Sequence, residues 1–222
     1  KKVRSILRIE GLKGHFGGAL VFDSADRLYL SVGDGNLPGD YGSSHPQDLD
    51  SLRGKILRLD VSKVDIEKEI IAYGIREPWG ITIDSRDRMF VLQCGEHTVE
   101  GVYLINNLDA GTPSNFGWPI FEGSVRMKDD PLSIENISTP VFETKERPGC
   151  LTAGIFLDDL NLFLLGDYFG TIRLLRQMEN NIWDVFSEYR QEKNIWSFGM
   201  DIKNNKIFIA PNNLELKISL DK

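Results

Sequence analysis

One eleven-residue pattern occurs twice without a gap. LVFDSADRLYL, Leu20 to Leu30, lies over ITIDSRDRMFV, Ile81 to Val91, 61 positions further on. In both, a short apolar run meets an Asp-Ser-X-Asp-Arg turn and a second apolar run leaves it. Asp and Ser favour such turns because their side chains bond the nearby backbone. A third copy is AGIFLDDLNLFLLGD, Ala153 to Asp167, and a fourth is FGMDIKNNKIFIAPN, Phe198 to Asn212. The copies start near residues 19, 80, 154 and 199. Paired short strands repeating at an irregular period of roughly 45–75 residues predict an all-β chain of propeller blades.

Each hairpin is followed by an alternating run that suits a half-buried outer strand. These runs are Gly54 to Asp60, Gly101 to Ile105, Gly170 to Leu175 and Leu214 to Leu220. About four four-stranded antiparallel blades are therefore expected. Ser5 to Glu10 reads as an edge strand with Ile6, Ile9 and Val3 facing in, the last strand of a blade whose earlier strands lie elsewhere. On this reading residues 1–222 form a single β-propeller domain, the later part of a longer propeller. Helix signals are scarce. Lys63 to Ile71 suits either a turn of helix or a strand leading into Tyr73. Two long polar connections, Asn36 to Leu52 and Glu122 to Pro148, have the length of lids or decoration.

The chain has 222 residues, enough to bury a real core. A net charge of −7 and a pI near 5.1 argue against nucleic acid or an anionic membrane surface as the main partner. No apolar run approaches a membrane span. The first eight residues are basic and lack the apolar stretch of a signal peptide, which leaves the compartment open. Cys94 and Cys150 are too few for a disulfide framework; they read as two buried free thiols, with a single bridge between them as the alternative.

Seven segments in order resemble the glucose/sorbosone dehydrogenase family of soluble quinoprotein aldose dehydrogenases, whose domain is shared by Hedgehog-interacting-protein-like propellers. They are His15-Phe16-Gly17-Gly18, Leu28 to Gly35, Gly54 to Asp60, Tyr73 to Gly80, Asn115 to Pro119, Gly166 to Gly170 and Ser197 to Asp201. The resemblance implies a six-bladed propeller, carbohydrate chemistry and a soluble, extracytoplasmic protein, periplasmic or secreted. It also implies oxidation of aldoses to lactones with pyrroloquinoline quinone (PQQ) and calcium as cofactors, and a small-molecule sugar as partner.

The resemblance carries roles onto particular residues. His15 matches the catalytic histidine, and a neutral imidazole is a competent proton acceptor near neutral pH. Gly17 and Gly18 let backbone approach a flat cofactor closely. Arg76 matches an arginine that contacts the quinone. Asp34, at the end of the first hairpin, lines the axis or caps a turn. Gly95 and Glu96 fall where metal-ligating carbonyls lie, and Glu96 and Glu100 offer hard oxygens. His97 reads as a surface residue. Trp79, Trp118, Phe169 and Trp196 read as inter-blade core.

Three departures accompany these matches. Glu77 stands where the family has Asn, next to a cofactor with three carboxylates. The acidic pair of the metal loop is reduced to Val99-Glu100. Asp167 to Thr171 replaces the expected basic clamp, and Arg147 lies in a loop. They favour a second reading, a non-catalytic binding propeller or a truncated, inactive member. An open ring would also expose blade edges prone to self-association.

Overall fold

A computed structural model describes residues 4–40, 44–128, 136–144, 149–179, 182–201, 206–210 and 214–216. Among the described residues eighteen strands account for nearly all regular structure, and the one helical element is a 3-10 turn at Asp158–Leu160. The first blade is β1 (Gly17–Phe22), β2 (Leu28–Val32), β3 (Lys55–Asp60) and β4 (Glu67–Tyr73). The second is β5 (Glu77–Ile83), β6 (Met89–Cys94) and β7 (Glu100–Ile105), edged by a later strand. The connection between β7 and that strand carries β8 (Ser114–Asn115), β9 (Phe121–Glu122) and β10 (Val125–Arg126); β11 (Phe142–Thr144) then closes the blade. The third is β12 (Leu151–Leu157), β13 (Leu162–Asp167), β14 (Thr171–Gln177) and β15 (Trp183–Arg190), and the fourth is β16 (Ser197–Asp201), β17 (Lys206–Ala210) and β18 (Leu214–Leu216). Within each blade, neighbouring strands are antiparallel.

The repeated turn works by the same device twice. Asp23 Oδ1 accepts the amides of Ala25 and Arg27 at 3.0 and 2.9 Å, and its Oδ2 accepts Arg27 Nε at 2.6 Å. Asp84 repeats this with Arg86 (3.0 Å), Arg88 (2.9 Å) and Arg88 Nε (2.6 Å). Asp26 and Asp87 turn the chain in the left-handed region, at φ +59 and +55, a conformation Asp tolerates better than most residues. In the third copy Asn161 takes that role at φ +51. The fourth turn lies outside the described residues.

Period-two alternation sorts the side chains between blades. On β6, Met89 and Val91 join Tyr29, Ile56 and Tyr103 between the first two blades, while Phe90 and Leu92 join Leu151, Phe163 and Trp183 between the second and third. Leu164 and Ile172 meet Ile207 and Ile209 between the third and fourth. Leu28, Val32, Leu57 and Leu59 cover the other face of the first blade.

The N-terminal segment departs from expectation. Residues 4–13 form no strand. Leu7 and Ile9 pack on the Leu28–Leu59 cluster while Ile6 points outward. No described strand runs alongside to supply ladder bonds; besides these side chains, the segment is held by the Lys13 amide on the Gly35 carbonyl at 2.9 Å and by Arg53 on the Glu10 carbonyl at 3.1 Å. The ambiguous Lys63 to Ile71 stretch resolves into a turn and β4. Of the last outer strand, Leu214–Leu216 is seen; residues 217–220, Val3 and Arg147 lie outside the described residues.

The long 36–52 connection is fastened beneath by Lys55. Its fully buried ammonium donates to the carbonyls of His45 (2.8 Å), Pro46 (3.0 Å) and Arg53 (2.6 Å). Burial pushes its pKa down to about 8.

Phe90 stacks on Phe163 at 4.7 Å and meets Trp183 edge-on at 5.5 Å. Truncating Phe90→Ala is expected to lower unfolding free energy by about 3–5 kcal/mol in urea titrations. Leu20, 61% exposed on β1, is expected to change it by less than about 0.5 kcal/mol on substitution with Ser.

Candidate functional site

The antiparallel blades present one set of strand ends at the same rim. His15 precedes β1 and Asp34 follows β2; Arg76 and Glu77 stand at the start of β5 and Gly95 and Glu96 follow β6; Trp196 precedes β16. The pairing of innermost with second strand is irregular at this rim in three blades, between Gly17 and Leu20, Pro78 and Gly80, and Leu151 and Ala153. Bulges at such rims re-aim side chains and often stand beside functional sites.

His15 is buried and held at φ +42, a left-handed value uncommon for a residue with a Cβ. Its Nδ1 lies 2.9 Å from Asp34 Oδ1. The same oxygen accepts the Asn36 amide at 2.9 Å, and Asp34 Oδ2 accepts Trp118 Nε1–H at 2.9 Å. An ionised carboxylate only accepts, so Nδ1 carries the proton and the lone pair sits on Nε2. That nitrogen faces Glu77, 4.0 Å from Oε2. Gly17 and Gly18 adopt φ +67 and +100, and a Cβ at Gly18 would meet open space.

Arg76 is buried across from His15. Its guanidinium pairs with Glu96, donates to the Cys94 carbonyl at 3.3 Å and lies 5.6 Å over the Trp118 ring. Glu77 is 3.8 Å from Arg76 NH1, beyond hydrogen-bond range. Burial pulls the guanidinium pKa down, against the opposing pull of Asp34, Glu77, Glu100 and Glu122. The Arg76 Nε has no partner among the described residues.

The loop after β6 is built around Glu122. One carboxylate oxygen accepts the amides of Glu96, His97 and Thr98 at 2.8, 2.9 and 2.9 Å, and that of Val99 at 3.3 Å. The Gly95 amide goes to Glu100 at 3.0 Å. Glu96 uses its other oxygen on the Gly39 amide at 2.8 Å, so both of its oxygens serve Arg76 and the 36–40 turn.

Cys94 and Cys150 form a disulfide, so the favoured reading of two free thiols gives way to the alternative of a single bridge. The end of β6 and the residue before β12 bring their Cα atoms to 4.5 Å, within bridging range. The aromatic expectation also needs correction. Trp118 is buried, but beneath the site rather than between blades. Phe169 and Trp196 are 51% and 43% exposed and form a rim with Tyr168 and Trp79; Trp196 lies 5.1 Å from Tyr168 and 5.6 Å from Trp79. Asp167 caps its own turn, accepting the Thr171 amide and Arg173 NH1, each at 2.9 Å.

His15, Asp34, Arg76, Glu77, Gly95 and Glu96 therefore stand at one rim, joined by direct contacts through Trp118, Cys94 and Glu122. Sequence reasoning missed the structural parts played by Trp118 and Glu122. Trp118 lies in a motif already singled out, Asn115 to Pro119. Glu122 gives no periodic signal, since its role comes from a loop 25 residues away in sequence.

Glu100 is 1% exposed and burial pushes its pKa up to about 7. The unfolded chain ionises it near 4.5. Its contribution to stability is full below that value and is lost as pH rises toward 7. Relative to a Glu100→Gln variant, the protein should lose about 3 kcal/mol across this window in denaturant titrations.

Comparison with known proteins places the chain in a family. The chain is 29% identical over 151 residues to the aldose sugar dehydrogenase YliI of Escherichia coli, covering 60% of this chain and 38% of that protein. It is 32% identical over 156 residues to the HIPL2 protein of Arabidopsis thaliana, covering 55% of this chain and 21% of that one. The chain thus spans well under half the length of these relatives. The PQQ-bound aldose sugar dehydrogenase of Streptomyces coelicolor superposes with a TM-score of 0.65 at 18% identity, over 90% of this chain and 60% of that structure. That likeness bears on the fold and identifies the blades as those of a β-propeller. The sequence profile of the glucose/sorbosone dehydrogenases matches residues 3–148, two blades and the whole His15–Glu96 rim, and the chain belongs to that family.

Proposed function

We propose that this chain supplies the proton-accepting side of a sugar-oxidising site. The observation that carries this is the relay from Trp118 through Asp34 to His15, which leaves His15 Nε2 as a lone pair facing the rim. An aldose brought there gives its anomeric hydroxyl proton to Nε2. Asp34 keeps the imidazole in the required tautomer and stabilises the imidazolium that forms. Trp118 and the Asn36 amide hold Asp34 in one orientation.

The residues present fit PQQ in part through Gly18, whose missing Cβ leaves open room, and through the unpartnered Nε of Arg76. PQQ, when bound, supplies a two-electron acceptor for the hydrogen on the sugar's C1. Its three carboxylates would meet Glu77 and the carboxylates around Arg76, so a divalent cation is needed alongside. Calcium is the reading for that cation, with the Gly95 carbonyl and Glu96 as the chain's donors. Glu96 would then have to leave one of its present partners.

The Cys94–Cys150 bridge supports an extracytoplasmic place, since disulfides persist in oxidising compartments. Among the described residues no helix is long and apolar enough to cross a membrane. Titration with PQQ and calcium, followed by dye reduction over a panel of aldoses, tests the proposal. His15→Ala should lower kcat by about 10²–10⁴-fold while PQQ still quenches tryptophan fluorescence. No quinone binding by the wild-type protein would favour the second reading, a binding propeller of the same fold, to which the Glu77 carboxylate and the aromatic rim also point.

A further inference from the structure

Three donor atoms gather at the junction of the first three blades, and a fourth stands close to one of them. Cys94 Sγ, Cys150 Sγ and a Glu77 carboxylate oxygen all lie within 4.8 Å of one another. His15 Nε2 stands 4.0 Å from Glu77 Oε2. Glu77 is the odd member. Its side chain is 18% exposed, and among the described residues it accepts no hydrogen bond, its nearest cation standing at 3.8 Å. A mostly buried carboxylate without a bonded partner is costly. A lone-pair nitrogen and an unbonded carboxylate facing each other ask for a cation between them.

We propose that reduction of the Cys94–Cys150 disulfide unmasks a zinc-class metal site made of Cys94, Cys150, Glu77 and His15 Nε2. A phosphine reductant converts the disulfide to two thiols and becomes the phosphine oxide, with water supplying the oxygen and both protons. The metal then displaces the two thiol protons to solvent, and Glu77 and Nε2 need lose none. Two sulfurs, one nitrogen and one oxygen make a set that zinc takes in tetrahedral geometry and that calcium and magnesium avoid.

The spacing of Glu77 and the two sulfurs is close to what a metal asks for. Ligand atoms about 2.0–2.3 Å from a tetrahedral ion stand roughly 3.3–3.8 Å apart. Glu77 and Nε2 must close by less than about 1 Å, the sulfurs part from their bond, and the imidazole, which lies outside the 4.8 Å cluster of Glu77 and the two sulfurs, swings toward them. Asp34 on Nδ1 is the outer partner that a metal-bound histidine ordinarily has. Charge allows it too. Arg76 is the cation in the neighbourhood, and Glu96 pairs with it directly. Two new thiolates beside Glu77 would otherwise be three uncompensated charges. Cys150 is the more open of the two sulfur-bearing residues and offers the reductant its approach.

This site does not depend on sugar oxidation. Where both hold, zinc occupies the lone pair that would accept the sugar's proton. The chain reduced with a phosphine and freed of excess reductant is titrated with Co²⁺ under argon. One equivalent per chain should give a thiolate-to-cobalt charge-transfer band and the intense visible bands of a tetrahedral ion, both removed by Zn²⁺. The unreduced chain should show neither, and Glu77→Gln should weaken binding at least about tenfold. A reduced chain with two reactive thiols and native circular dichroism but no charge-transfer band overturns the proposal. Equal affinity in Glu77→Gln overturns it, and so does unfolding on reduction, because the site needs both sheets in place.

Discussion

Burial of the middle strands on both faces is the constraint from which the rest of the molecule follows. A strand buried on one face can alternate apolar with polar. A strand covered on both must be apolar throughout, and β6 is buried at every position from Met89 to Cys94. Its odd-numbered residues meet the first blade and its even-numbered residues the third, so one strand belongs to two cores. A one-residue slip in its register would exchange Phe90 and Val91 between cores of different shape. The Asp84 turn, which fixes Arg86 and Arg88 to one carboxylate, pins that register at the outer end. The disulfide pins it at the rim.

A ring of such blades leaves its strand ends pointing at a shared rim, and the rim is where regular pairing gives way. The bulges at Gly17 to Leu20 and Pro78 to Gly80 free residues from the ladder. Polar groups gathered there must satisfy one another. Asp34 is engaged on both oxygens, Glu96 on both, and one oxygen of Glu122 collects four amides. Against that background, the His15 Nε2 lone pair and Glu77 stand out as capacity not spent on the fold. Buried polar capacity left open is where ligand chemistry is looked for first.

The blades were legible because their signals are local. Alternation, Asp turns and the 61-residue match lie within a dozen residues of each strand. The edges failed where locality failed. Ser5 to Glu10 alternates well enough for a strand, yet pairing needs a neighbour that no local pattern supplies. The site was legible only in its own blade segments. His15, Arg76 and Gly95 could be named from motif order, but the partners that define their chemistry come from afar: Trp118 is 84 residues from Asp34 and Glu122 is 26 from Glu96. Cys94 and Cys150 are 56 residues apart in different blades. A count of two cysteines says nothing of whether two sheets bring them together.

Charge decides what the rim can hold. Arg76 is a single guanidinium amid Asp34, Glu77, Glu96, Glu100 and Glu122. Burial of Glu100 shifts it toward neutrality, which relieves part of the excess. Even so, the rim remains net negative, and an anionic ligand arriving alone would lose more in repulsion than Arg76 returns, since that cation is already paired. The preference set by these residues is for a cation, or for an anion that arrives with one. Glu77 is the residue that tips the balance. An amide in its place would take one carboxylate from those around Arg76 and would present His15 with a neutral neighbour. The carboxylate instead sets a negative charge between His15 and the cystine, beside two further donor groups that a cation could use.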